Sequence, residues 1–219
     1  MQVPHSFSVA GEQLWLSDAR VIYWESTRSL ILSDTHFGKT GHFRKAGIGV
    51  PQTVFKEDLQ RLFALIQYFQ PARLLVVGDF FHSTSNKEAD LFARWRHDHS
   101  ALQIELIRGN HDILPLGWYE QQEITLHDNI LVEGPFGFVH EWSDHLSVSN
   151  AAIYYFSGHI HPGIRLRGLG KQQMLLPCFY FGKQYAILPA FGGFTGLASL
   201  QRVKGDQVFV IGHKQLIAL

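Results

Sequence analysis

The sequence contains a single cysteine, Cys178, and this scarcity excludes an intramolecular disulfide as a source of stability. No apolar run approaches the roughly 18 to 20 residues that a membrane-spanning helix needs, so no membrane association is expected. The amino-terminal residues also lack the charged-then-apolar profile of a signal peptide. These absences predict a soluble protein of a reducing compartment, most simply the cytoplasm.

Net charge is lacking too, because 19 basic side chains balance 19 acidic ones. The distribution is nevertheless uneven, since no Asp or Glu occurs between Leu146 and Gly205. This stretch could form a surface that faces phosphate groups or an ordinary solvated basic face, and the sequence leaves both alternatives open. Its basic residues are Arg165, Arg167, Lys171, Lys183, Arg202 and Lys204.

The size and the hydrophobic pattern predict one α/β domain over residues 1–219, since 46% of the residues are apolar. Apolar residues at intervals of three and four predict helices over 52–70 and 87–99. Two sheets packed face to face, with helices outside, are expected from the order of the elements. The predicted strands include 3–9, 13–16, 20–24, 29–33, 73–77, 103–107 and 153–156, with further strands towards the end of the chain.

Polar motifs follow the apolar runs at five places. Ligands of open α/β sheets lie at the carboxyl edges of strands, so we expect these motifs to meet in space. Their carboxylate, amide and imidazole groups suit two ions of Mn²⁺, Fe or Zn²⁺ better than a thiolate site or an all-oxygen Ca²⁺ site. The chemistry indicated is metal-assisted hydrolysis of a phosphate ester. The motifs are Asp34-Thr-His36, Gly78-Asp79, Gly109-Asn110-His111-Asp112, His140 and Gly158-His159-Ile-His161.

Spacing within two of these motifs adds a geometric expectation. Asp34 and His36 are two residues apart, so an extended backbone would point both side chains to the same side; the same holds for His159 and His161. Taken alone, Asp79 would more often be a turn residue or a helix cap, and an isolated histidine such as His140 is more often a half-buried core residue. The five motifs together favour the functional interpretation, although His145 lies close to His140 in the sequence.

In their order over residues 34–161, the five motifs resemble the calcineurin-like metallophosphoesterases. The resemblance implies a four-layer αββα sandwich of two mixed sheets flanked by helices. Several segments resemble more narrowly the bacterial DNA ligase-associated metallophosphoesterases, the PdeM group, which implies an endonuclease of the DNA-damage response with a DNA ligase and a helicase as partners. These segments are residues 38–51, 78–82, 188–192 and 194–196.

The same resemblance implies a ligand set for two divalent metal ions, with Mn²⁺ expected first. One ion would be held by Asp34, His36 and His161, the other by Asn110, His140 and His159, and Asp79 would bridge both. Two such ions supply a hydroxide at neutral pH and clamp the phosphate oxygens during in-line attack.

Two residues are implied to be catalytic without binding metal. His111 would stabilise the transition state or protonate the leaving oxygen, and Asp112 would keep its imidazole oriented and charged. Asp112 could instead cap the local turn.

Four residues are candidate substrate contacts: His82, Lys39, Arg44 and Arg165. Many relatives carry an acid three residues after the bridging aspartate, whereas this chain has His82, as the ligase-associated group does. His82 could contact the substrate or pack at the start of a loop. Lys39 and Arg44 could contact a nucleic-acid backbone or be solvated.

Three functions therefore remain open. The first is a phosphodiesterase or endonuclease that acts on DNA, and the second is a phosphomonoesterase acting on nucleotides or phosphoproteins. The third is a non-catalytic scaffold of the same fold, as in the retromer subunit. Because every expected ligand and His111 are present, the sequence favours the enzymes over the scaffold.

Overall fold

The computed structural model describes residues 2–39, 53–82, 87–143, 152–168 and 172–219. Within these ranges the first sheet has its strands in chain order, so sequential strands are neighbours. The pairs from β1 to β4 are antiparallel and those from β4 to β7 are parallel. The strands are β1 (His5–Val9), β2 (Glu12–Ser17), β3 (Val21–Trp24), β4 (Ser29–Leu32), β5 (Arg73–Val77), β6 (Gln103–Ile107) and β7 (Ile124–His127).

The second sheet is also mixed and follows the order β14-β11-β12-β13-β10-β9-β8, while β15 pairs with both β12 and β16. In its centre, β10 runs parallel to β9 and to β13. The strands are β8 (Ile130–Glu133), β9 (Phe136–Val139), β10 (Tyr154–Ser157), β11 (Pro162–Arg167), β12 (Gln173–Phe181), β13 (Tyr185–Ile187), β14 (Ala198–Leu200), β15 (Gln207–Gly212) and β16 (Gln215–Ala218).

Three helices lie wholly within the described ranges: α1 (Thr53–Phe69), α2 (Lys87–Asp98) and α3 (Leu116–Gln121). Their apolar faces, represented by Leu62, Phe92 and Tyr119, share one core with the outward face of the first sheet. The inward faces of the two sheets share a second core, in which Val77 and Phe156 are fully buried. The layers therefore run helices, first sheet, second sheet.

The predicted α/β class with two mixed sheets is confirmed. The strands over 73–77 and 103–107 have the predicted bounds, and α1 and α2 each end one residue early. Sequence reasoning missed the short helix α3. The helix layer expected on the far side of the second sheet is not found in the described ranges, where that face carries a small core around Cys178 and Val210. None of the described helices is long and apolar enough to span a bilayer.

Candidate metal centre

The polar motifs meet because the strands before them end at one edge. Strands β4, β5 and β6 are parallel neighbours, and Asp34, Asp79 and Asn110 follow their carboxyl ends. Strands β9 and β10 are parallel neighbours in the other sheet, and His140 and His159 follow them. The expected placement at the carboxyl edges is therefore observed in both sheets.

The first group of ligand atoms comes from Asp34, His36 and His161. The Nε2 atoms of His36 and His161 lie 3.1 Å apart, and His161 Nε2 is 3.5 Å from Asp34 Oδ1. Asp34 is fully buried, and its carboxylate accepts the main-chain N–H of His159 at 3.0 and 3.1 Å. Asp34 therefore joins the ends of β4 and β10, one strand from each sheet.

The second group comes from Asp79, His140 and His159. His140 Nε2 lies 3.6 Å from Asp79 Oδ1 and 3.0 Å from both His159 Nδ1 and Asn110 Oδ1. The other Asp79 oxygen, Oδ2, is 3.9 Å from His36 Nδ1 in the first group. Asp79 thus has one oxygen towards each group, as its implied bridging role requires.

The backbone at these ligands differs from the sequence-based expectation. Asp34 and His36 have φ values of 50° and 48°, and His159 and His161 have 66° and 53°. Asp79, at 47°, also lies in the left-handed region that residues other than glycine rarely adopt. The extended backbone expected for both two-residue pairs was therefore wrong. The two side chains of each pair are instead brought together by residues in the left-handed conformation. Backbone strain of this kind is concentrated at functional sites.

Two glycines permit the close approach of the motifs. A Cβ atom on Gly78, whose φ is +80°, would overlap the His140 ring, and one on Gly158 would overlap the Asp34 carboxylate. The glycine before Asp79 and the glycine before His159 therefore each leave room for a ligand from the opposite sheet. A side chain at either position would push the two ligand groups apart.

The donor set fits divalent cations. His36 Nδ1, which lies 3.9 Å from Asp79 Oδ2, is buried without a hydrogen-bond partner among the described residues, which is unusual for an imidazole nitrogen. Burial, followed by the charge of Lys39, lowers the pKa of His36 to about 2, so its imidazole is neutral, as a metal ligand must be. Burial also lowers the pKa of His140, against the carboxylate of Asp79. Neutral imidazoles beside two buried carboxylates form a site that a cation would complete.

His111 and His82 lie beside the first group. The ring centroids of His111 and His82 are 4.2 Å apart, and His111 lies 5.6 Å from His36 by the same measure. The His111 main-chain N–H donates to Asp79 Oδ1 at 2.9 Å, which holds the His111 backbone next to this carboxylate. His111 is therefore positioned to reach a group held at the site, and His82 is packed against it.

Asp112 has different partners from the one implied by the family resemblance. Its two oxygens accept the main-chain N–H groups of Phe81 and Gly109, both at 2.9 Å, and the residue is 1% exposed. Burial raises its pKa to about 7, against the effect of these two hydrogen bonds. No hydrogen bond between Asp112 and the His111 ring is found in the described residues. The Asp112 carboxylate links the loop after β5 to the loop after β6.

The remaining substrate candidates are dispersed. Lys39 is half-buried near the site; burial lowers its pKa, while the carboxylates of Asp79 and Asp34 work against that effect. Arg165 is exposed on β11, where it donates to Gln173 Oε1 at 3.2 Å. Arg44, like His145 and Lys171, lies outside the described residues, so its predicted contact remains a prediction.

Sequence reasoning missed a polar support behind Asp34, formed by buried Asp58 and the partly buried Arg20 and Arg61. Segment 189–193 lies against the end of β4, where the N–H of Gly192 donates to Asp34 O at 3.1 Å. Arg20 donates from Nη1 to Ala190 O and Gly192 O, both at 3.1 Å. On α1, Asp58 accepts the Gly193 N–H at 3.0 Å, and Arg61 donates to Phe191 O and covers its ring at 4.1 Å.

The signal for this support was present in the sequence. Asp58 lies between Phe55 and Leu62, on the apolar face of the predicted helix, and a charged residue there needs a buried partner. Burial raises the pKa of Asp58, and the Arg61 guanidinium at 2.9 Å opposes that rise. Only the tertiary structure shows that this pair acts on segment 189–193.

We expect Arg61→Ala to weaken metal binding by the first group roughly 10- to 100-fold, because loss of an outer partner lets a strained ligand relax. The second group should change less, since the described contacts of Arg61 are with Asp58 and Phe191 and not with that group. Metal content after dialysis against graded chelator measures both affinities. Arg96→Ala is the control, because Arg96 on α2 also donates to main-chain carbonyls, those of Gln122 and His99. Equal loss from both groups would contradict the selective effect.

The chain is similar to proteins of known family and known structure. The calcineurin-like phosphoesterase family model matches residues 27–217. The crystal structure of nuclease MPE from Pseudomonas putida is similar over 98% of this chain and 100% of that chain, with a TM-score of 0.82 and 28% identity. The phosphoesterase Yfce from E. coli is 13% identical, with a TM-score of 0.44 over 87% of this chain and 97% of that one. No curated protein sequence matches this chain.

Proposed function

Since the chain belongs to the calcineurin-like phosphoesterase family, we propose that it is a two-metal phosphodiesterase that cleaves DNA as an endonuclease. One observation supports this most directly: two groups of ligand atoms share Asp79 at the edge where both sheets end. The similarity to a bacterial nuclease over nearly the full chain favours a nucleic-acid substrate.

The two ions and the protein side chains would have different chemical roles. When bound, two divalent ions would lower the pKa of water and offset the charge of the phosphate oxygens. Asp34 and Asp79 together bring two negative charges, so the cluster with two ions keeps a net charge of about +2, which attracts an anionic diester. His111, fixed through its N–H to Asp79, would protonate the leaving oxygen.

The finer assignments form part of this proposal. Mn²⁺ is the ion proposed first, with Fe or Zn²⁺ as alternatives that suit the same imidazole and carboxylate donors. We also propose a role in the DNA-damage response, a cytoplasmic location, and association with a DNA ligase and a helicase. The damage-response role and the two partners rest on the resemblance to the ligase-associated group, whereas the cytoplasmic location rests on the scarcity of cysteine. Co-purification of a ligase or helicase with the tagged protein tests the partners.

A substrate panel decides between the proposed activity and a phosphomonoesterase. Mn²⁺-loaded protein is given single- and double-stranded DNA, RNA, a small diester and a nucleoside monophosphate. The proposal expects cleavage inside DNA strands and hydrolysis of the small diester. Rapid hydrolysis of the monoester, with every oligonucleotide left uncut, would overturn it in favour of the phosphomonoesterase.

The basic surface gives a further prediction about DNA binding. Arg165 and Arg167 alternate along β11, which begins directly after His161, so they lie about 13 and about 20 Å along the strand from that ligand. Reversing both to Glu should weaken oligonucleotide binding and lower the slope of log affinity against log salt by about two. Fluorescence anisotropy at several salt concentrations measures both quantities.

The matched control reverses Arg28 and Arg94, which are exposed and carry the same total charge. Arg28 lies before β4, at the end of the strand opposite Asp34, and Arg94 lies on α2. A general charge effect would weaken binding equally in both double variants. In that case the surface on β11 would have no specific part in binding DNA.

A further inference from the structure

An uncharged apolar segment directly follows His111 and Asp112 in the chain. Its first four residues, 113–116, expose three of their side chains to solvent. Ile113 is 56% exposed and Leu116 is 57% exposed, and the exposed Pro115 lies between them. Single exposed apolar residues are ordinary, but several in succession beside a candidate site indicate a contact surface. We call residues 113–116 the apolar rim.

The apolar rim is anchored to the interior of the protein. Leu114 is buried in the core that the helices share with the first sheet. Before the rim, the Asp112 carboxylate accepts two main-chain N–H groups, and after it Tyr119 on α3 is fully buried. The exposed side chains of Ile113 and Leu116 therefore stand on a fixed backbone, which lowers the entropic cost of binding a ligand against them.

The apolar rim lies beside His111. The N–H of Ile113 donates to His111 O at 2.9 Å, and this three-residue turn keeps the two residues adjacent. Their Cα atoms can be no more than about 7 Å apart, because two peptide units span no greater distance. In the proposed reaction the bond from phosphorus to the leaving oxygen breaks, and His111 gives its proton to that oxygen. The group that carries the leaving oxygen is therefore brought close to the rim.

The chemistry of the rim suits the group that departs from DNA. In a DNA strand the leaving oxygen belongs to a deoxyribose that carries a base, and the face of a base is apolar. Because residues 113–116 carry no charge, they cannot pair with the neighbouring phosphates, but they can cover apolar faces. Isoleucine, leucine and proline are among the side chains that nucleic-acid-binding proteins insert between bases.

We propose that the apolar rim is the subsite for the nucleoside that departs, in which Ile113 and Leu116 cover its base and sugar while His111 protonates its oxygen. This inference rests on the proposed nuclease function and names the contact on one side of the cleaved phosphate. The apolar contact is the same before and during bond cleavage, so it lowers KM and leaves kcat unchanged. It involves no hydrogen bond to a base edge, so all four bases should be accepted.

Changing the polarity of the rim is the first test. Leu116→Gln keeps the approximate size of the side chain and makes it polar, whereas Leu116→Met keeps it apolar. Leu116→Gln should raise KM for an oligonucleotide roughly 3- to 10-fold with kcat unchanged, and Leu116→Met should stay near wild type. The control is Ile217→Gln, because Ile217 is 42% exposed on β16, a strand from which neither ligand group takes a residue. All three variants should hydrolyse a small diester without a nucleoside as wild type does.

Removal of a base from the substrate is the second test and does not depend on those variants. In a short oligonucleotide with one cleavable phosphate, the product strand that ends in a new hydroxyl group identifies the side that departs. Loss of the base on this side should raise KM of wild type roughly 3- to 10-fold, and loss of the base on the other side should change it less. Ile113→Ala should lose a similar factor on the intact substrate and almost nothing further on the one without the departing base.

The outcomes separate this inference from the proposed function. Equal KM values for Leu116→Gln and Leu116→Met would overturn the subsite, as would an equal effect of base removal on the two sides. A fall in kcat on the small diester would also overturn it, because the substitution would then act through His111 and not through the nucleoside. These results would leave the nuclease function in place. If wild type cleaves no oligonucleotide at all, the nuclease function itself fails, and the subsite fails with it.

Discussion

Replacing Asp79 with asparagine is expected to remove both metal ions from the protein. The side chain keeps its shape but loses the negative charge that lies 3.6 Å from His140 Nε2 on one side and 3.9 Å from His36 Nδ1 on the other. The affinity for both ions should fall by at least the roughly 100-fold reached when an outer partner is lost. Activity should fall below detection, since both ions would take part in the proposed hydrolysis.

Metal content by mass spectrometry after dialysis checks this expectation. His36→Ala is the informative comparison, because His36 belongs to one group and should cost mainly one ion. Circular dichroism of each variant establishes that the fold is retained, as Asp79 Oδ1 also accepts the His111 N–H. Retention of two ions at full occupancy by Asp79→Asn would rule out the bridging role.

Replacing His111 with alanine is expected to lower turnover of an ordinary phosphodiester roughly 10²- to 10⁴-fold, the range that general acid catalysis contributes. Metal content should stay near that of wild type, because His111 belongs to neither ligand group. Its main-chain N–H can still donate to Asp79 Oδ1, so the substitution removes the ring and leaves this contact in place.

The leaving group distinguishes two possible roles of the His111 ring. A nitrophenolate departs without a proton, so a diester with that leaving group should lose much less activity than one with an alkoxide leaving group. Equal losses on both substrates would instead indicate electrostatic stabilisation of the transition state. His82→Ala is a useful companion variant, since the His82 ring is packed 4.2 Å from that of His111 and is itself a candidate substrate contact.

Much of the candidate metal centre was predictable because each of its motifs follows an apolar strand. The runs before Asp34, Asp79 and Asn110 form buried strands with the expected direction, and a parallel arrangement brings their carboxyl ends to one edge. Left-handed φ values at the ligands were not predictable from periodicity. Conformations of this kind are imposed by surrounding contacts, such as the Asp34 N–H that donates to Gly78 O at 3.1 Å.

Local sequence determined which residues could bind metal, because donor chemistry and strand-end position are properties of short segments. Tertiary structure alone decided how the two groups meet at Asp79, that Asp112 accepts the N–H of Phe81, and that Arg61 on α1 holds segment 189–193. The Arg61 contact spans 130 residues of chain. Contacts between residues so far apart in the sequence depend on how helices and sheets pack. Hydrophobic periodicity predicts which face of a helix is buried, but it does not predict which segment that face contacts.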